Sequence, residues 1–264
     1  MSVQPLSPSR HSHLRWTRYA DYRFAAGRNV VALAAAEIAK ASLALPLAFV
    51  ERQNGWTLAA VLGLIPTQNL YVSSAGIWVG AYTPAVFRAY PFSLAANEAG
   101  EPLLCVDEAS GLLVESSEGE LFFNEIGEPS AAVIQVLGFL EETAKSEAVL
   151  AHACEGLQWA GVIEPWPITL QGADGTQQVT GLNRINEIAL NSLDDPAFGQ
   201  LRRAGAVGVA YAQLLSMGNL SQLGALAQAR AQAEAAERAK AEVKPMITLP
   251  EDNTIDWDWS KIGR

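Results

Sequence analysis

Apolar and polar positions change rhythm at Pro129. Before it, apolar residues come in short runs broken by Gly, Pro, Asn and acids; after it, they recur every three to four residues. The first pattern predicts strands and the second helices. Residues 47–50, the turn dipeptide Asn54-Gly55 and residues 56–65 predict a β-hairpin. Short strands are predicted at 69–72, 92–95, 103–107, 112–115 and 121–124, an antiparallel meander with one face buried. Two helical pieces interrupt them. One is capped by Asn29 and runs to about Ala44, before Pro46; the other opens at Pro84 and runs through Tyr90. Beyond Pro129, Val133, Val136, Leu137 and Leu140 stripe a helix over 130–154. A second hairpin follows, 159–170 and 178–183 around Ala173-Asp174-Gly175, and then short helices at 187–193, 196–204 and 207–215. The Ala/Gln/Glu/Arg-rich segment 221–242 is a strong helix former but lacks the sustained heptads of a coiled coil. The expected class is α+β: a largely antiparallel sheet of meander and hairpins, packed helices and a helical C-terminal region.

The expected layout is a flexible 1–12, a single domain over 13–243 with a sub-boundary near 128, and an acidic tail over 244–264 holding Trp257 and Trp259. Half of the 264 residues are hydrophobic, enough for a substantial core. A net charge of −10 disfavours nucleic acid and anionic membranes as partners. That charge is uneven. Residues 1–28 hold Arg10, Arg15, Arg18, Arg23 and Arg28 against Asp21 alone, whereas residues 98–128 hold nine acids and no Lys or Arg. The two segments either attract each other, within the chain or between copies, or form separate solvated surfaces. The amino terminus has no apolar signal region, which predicts a cytoplasmic location. The apolar run 30–50 is interrupted by Glu37, Lys40 and Pro46, so no transmembrane segment is expected.

No catalytic signature accompanies these elements. The chain has no Gly-x-Ser-x-Gly elbow, no Walker loop and no Gly-x-Gly-x-x-Gly after a strand. Catalytic residues and cofactors are therefore not expected. His152-Ala153-Cys154 is the one His/Cys cluster, and i and i+2 side chains of a helix point apart, so no metal site is expected. Cys105, in an apolar run, reads as a core residue, and two cysteines make no disulfide framework. The stretch 62–94 is different, gathering Tyr71, Trp78, Tyr82, Phe87, Tyr90 and Phe92 around Gln68, Asn69 and Arg88. So many rings build either a core or an apolar pocket with a few placed polar groups. On the pocket reading, Gln68, Asn69, Trp78, Tyr82, Arg88 and Tyr90 line a groove for a peptide or small molecule. Arg184 is a further candidate contact for an anion.

His13–Trp16 reads HLRW. It is followed in order by YRFAAG, VALAAAEIAKA, LPLAFVE, LGLIPTQNLYV, GIWVGAYTPAVFRAYPF, LLCVDEASGLL, LFFNEIGEPS, GLNRINE and AYAQLLSMGNL. This ordered set, covering about 13–226, resembles the SapC family of bacterial proteins. The family takes its name from a protein encoded with a surface-layer system, and many relatives are encoded near TonB-dependent receptors and tryptophan-halogenase-like flavoproteins. The resemblance implies an S-layer-associated accessory protein, attached to the cell surface and acting through a protein partner or self-association. It implies, as the alternative, a peptide- or small-molecule-binding protein or an enzyme partner of such a flavoprotein or receptor system, using the aromatic stretch 62–94. It brings no catalytic residues. Asn186, in GLNRINE, stands where the resemblance leads one to expect Asp, so no acid role is carried over to it. The absence of repeats and calcium loops sits badly with a lattice subunit.

Overall fold

In the computed structural model, which describes residues 2–53, 55–172 and 175–241, the chain is ordered from its start. Val3–Pro5 (β1) is a strand, Pro8–His11 (α1) a helical turn and Arg15–Trp16 (β2) a second short strand. Residues 3–5 pair with β7 although their composition is not apolar, and His11 is fully buried. Val30–Ala32 (β3) precedes a 3-10 turn at Ala35–Glu37 and the helix Ile38–Ala44 (α2). Asn29 therefore caps no helix. The β-branched Val30 and Val31 pair with Val61 and Ala60, and helix begins only where the alanines do.

Leu47–Arg52 (β4) and Gly55–Val61 (β5) form the first hairpin; Asn54 of its turn lies outside the described residues. Residues 69–72, expected as a strand, contribute only the isolated bridge between Val72 and Trp78. Ala85–Arg88 (α3) is the helical turn behind Pro84. Phe92–Ala96 (β6), Pro102–Asp107 (β7), Leu113–Val114 (β8) and Glu120–Leu121 (β9) complete this half.

Ser130 caps the long helix Ala131–Trp159 (α4), its hydroxyl accepting from the Val133 N–H. Ile163–Pro165 (β10), Ile168–Gly172 (β11), Gly175–Val179 (β12) and Asn183–Ile185 (β13) follow, with Ala173 and Asp174 outside the described residues. Glu187–Asn191 (α5) and Asp195–Arg203 (α6) are capped by the side chains of Asn186 and Asp194. Ala206–Ser216 (α7) and Leu220–Ala241 (α8) end the described chain; the tail 244–264 lies beyond it.

All strand pairs are antiparallel, in sheets ordered β1-β7-β6, β8-β2-β9, β10-β13-β4-β5-β3 and β11-β12. Amino-terminal strands are thus interleaved with the later ones. The chain divides at Leu226 into two compact units, Met1–Leu226 and Ala227–Arg264. The first unit holds two cores. The larger packs Leu47, Phe49, Leu58 and Val61 of the five-stranded sheet with Leu150, Cys154 and Leu157 of α4 and Val209 of α7. The smaller gathers Trp16, Phe92, Val106, Phe122 and Val133. Buried Gln213 of α7 joins the sheet strands, its amide donating to Leu47 O and accepting from Ile185 N. The described residues of the second unit, 227–241, are helical, and Arg230 pairs there with Glu234.

The basic and acidic segments meet within the chain. Arg10 forks onto Glu108 at 2.8 Å, Arg18 reaches Glu120 at 3.3 Å, and Arg15 donates to Gly119 O. Cys105 and Cys154 are both free thiols and buried. Among the described residues no helix is long and apolar enough to cross a membrane.

Candidate functional site

The aromatic stretch packs chiefly upon itself. Trp78 stacks on Tyr71 with centroids 5.5 Å apart, and Phe87 meets it edge-on at 5.7 Å. Tyr90 lies parallel to Phe24 at 3.9 Å. Gly80 permits the stack, because a Cβ there would fall 2.8 Å from the Tyr71 ring and 2.9 Å from the Trp78 indole nitrogen. The indole N–H donates to Tyr82 O. Asn69 is fully buried and staples the loop, donating to Ala25 O and accepting from Tyr71 N–H. Gln68 sits half-buried in the same turn. Arg184 lies elsewhere, on β13, paired at 2.8 Å with Glu164 of β10, whose other oxygen accepts from the Asn186 amide.

Tyr82 and Arg88 are the two sequence candidates that share a cavity, a cleft of about 560 Å³ between α2, α3 and the middle of α4. Its floor is Glu37, 5% exposed. Glu37 Oε1 accepts from the Tyr82 hydroxyl at 2.8 Å and from Ala85 N–H at 2.6 Å, and Oε2 accepts from Ala34 N–H at 2.9 Å. Arg88 Nη2 stands 3.9 Å from Oε1 and donates to the Tyr82 oxygen at 3.4 Å. Its guanidinium lies 5.1 Å from the Phe139 centroid. On the α4 wall, Ser146 Oγ accepts from Ala36 N–H and Lys145 pairs with Glu142. Lys40 lines the cleft with no partner among the described residues.

These groups hold rather than react. The Glu37 carboxylate accepts from three donors. Burial, and after it the hydrogen bond and charge of Glu37, push the Tyr82 hydroxyl up to about 12, with Arg88 opposing, so it stays protonated at neutral pH. Burial, followed by the Glu37 charge, raises the Glu147 carboxyl. Among the described residues no group of His, Cys, Asp or Glu is placed to hold a metal. His152 is exposed while Cys154, two residues on, is buried.

A shallower groove of about 470 Å³ runs between the last turns of α4 and α6, with Leu201 and Ala204 in its lining. Trp159, 65% exposed, stands in it and is the one exposed tryptophan among the described residues. Arg203 lines the same groove; it and its neighbour Arg202 are exposed and have no ion-pair partner among the described residues. Sequence reasoning missed Glu37, Lys40, Phe139 and Trp159 as site residues. The available signal for Glu37 was a lone acid within an alanine-rich apolar run.

The family model described as SapC matches residues 6–223 of the chain. No curated protein and no solved structure matches it.

Proposed function

Because the chain belongs to the SapC family, we propose that it is an accessory protein of a bacterial surface system and acts by binding another protein at the Trp159 groove. The observation that carries this reading is Trp159 itself, a large ring left in solvent in a groove shared with Arg203, which has no ion-pair partner among the described residues. Tryptophan and arginine dominate binding hot spots, because each buries much area at small entropy cost and can add directed polar contacts. The basic amino-terminal and acidic 98–128 segments pair with each other through Arg10–Glu108 and Arg18–Glu120, which draws on the charge each would offer a partner. Arg203 favours a partner that presents a carboxylate beside an apolar pocket.

A photo-crosslinking residue placed at Gln200, on the groove wall, tests this in cells. One discrete heterologous adduct is expected. Trp159→Ala should abolish it, and in the purified pair should weaken affinity about thirtyfold, the usual scale of a lost hot-spot ring. The absence of a discrete adduct, or an adduct unchanged by Trp159→Ala and Arg203→Glu, would refute the assignment.

A further inference from the structure

We propose that the Glu37 cleft binds a small monocarboxylate carrying an apolar or aryl group. The site is independent of the Trp159 groove and lies on other elements. Three cations, Lys40, Arg88 and Lys145, and two carboxylates, Glu37 and Glu142, line it. The carboxylates are already engaged. Glu37 is held by Tyr82, Ala34 and Ala85, and Glu142 by Lys145. Lys40 has no partner, and Arg88 is engaged through Nη2 alone among the described residues, leaving Nε and Nη1 as donors. In a chain of net charge −10, the lining of this open cleft carries one more cation than carboxylates.

The guanidinium already has neighbours that orient it. Phe139 lies 5.1 Å from it on one side and Tyr82 5.9 Å on another, while the Tyr82 oxygen and Glu37 hold Nη2. A planar fork with two donors free matches the two oxygens of a carboxylate. The remaining wall mixes the apolar Ala34, Ala36, Ala85, Phe139 and Val149 with the hydroxyls of Thr143 and Ser146. A volume of about 560 Å³ is within the range of pockets that enclose small molecules. Glu37 sets the charge limit. Its carboxylate stands 3.9 Å from Arg88, so a dianionic phosphate bound to Arg88 would meet a like charge at short range, which a single carboxylate tolerates better.

Phenylacetate is the probe, followed by amide NMR shifts of the full chain, with phenylacetamide and inorganic phosphate as comparators. Saturable shifts confined to the cleft residues are expected. The parent should bind phenylacetamide, and the Arg88→Ala and Lys40→Gln variants should bind phenylacetate, about tenfold more weakly than the parent binds phenylacetate, the scale of a lost charge-assisted hydrogen bond. Arg52→Ala, outside the cleft, should bind as the parent does. Lys40 is exposed, so Lys40→Gln remains informative should Arg88→Ala fail to fold. Three results would each overturn the proposal: no saturation by about 10 mM probe, far weaker than useful small-molecule affinity; equal binding of acid and amide; or phosphate binding as tightly as phenylacetate.

Discussion

Glu37 shows how one residue can determine a local structure. Its two oxygens accept a hydroxyl and two backbone N–H groups, and its partners Tyr82 and Ala85 lie 45 and 48 positions away. A buried carboxylate left without such donors would be strongly disfavoured. The arrangement has a consequence in alkali. Tyr82, Tyr71 and Tyr19 are each pushed up to about 12, in every case first by burial. Below the ordinary tyrosine value of about 10 both folded and unfolded chains keep these protons, so the stabilisation is fully present there. As pH rises from about 10 the unfolded chain loses them first, so stability falls until about 12 and then levels. Ultraviolet titration of the six tyrosines should show Tyr19, Tyr71 and Tyr82 ionising last, with Tyr90 also raised, first by burial, and Glu37→Gln should bring Tyr82 earlier. Early ionisation of all six in folded protein would contradict the packing. The sequence displayed Glu37 only as an interruption of an apolar run. Its function depends on partners that no local pattern could bring together. Asn69 is the converse: its polarity was legible as site chemistry, yet its donors and acceptors are spent on Ala25 and Tyr71.

Local elements were legible wherever the decisive interactions are local. The β4–β5 hairpin, the start of α4 at Ser130 and the run of helices after Asn186 follow from turn residues, caps and apolar period. Elements completed by distant pairing were not. β1 is a strand because β7 lies beside it, with Leu6 N–H donating to Leu104 O at 2.8 Å and Ser2 N–H to the Asp107 carboxylate at 3.0 Å. The exposed Arg10–Glu108 fork adds register more than stability. Deleting residues 2–7 should therefore destabilise the protein by about 2 kcal/mol, from lost backbone bonds and exposed apolar area. It should also bare the β7 edge to pairing with other copies. Urea unfolding reads the first effect and light scattering the second. A truncated protein as stable and as monodisperse as the parent would mean that β1 contributes nothing.

Within Met1–Leu226 the two cores share one continuous helix. Val133 of α4 belongs to the smaller core, whereas Leu150, Ala153, Cys154 and Leu157 belong to the larger. Between them α4 turns polar and lines the Glu37 cleft with Thr143 and Ser146. The apolar stripe at 133–140 announced a helix, but not that its two ends serve different cores, since that depends on which sheets fold against each end. The 29-residue helix is thus a stiff link through which the cores stabilise one another. Ala144→Pro tests the link without opening a cavity, because Ala144 is exposed at the middle of the helix. Proline there removes an interior hydrogen bond and clashes with the preceding turn, at about 3 kcal/mol. Coupling through α4 then predicts that the parent melts in one transition whose calorimetric and van't Hoff enthalpies agree. The variant should melt in two, or with a calorimetric enthalpy clearly in excess. A variant that still melts in a single step at the parental temperature would show that the cores are joined by their sheets and loops, with α4 merely lying across both.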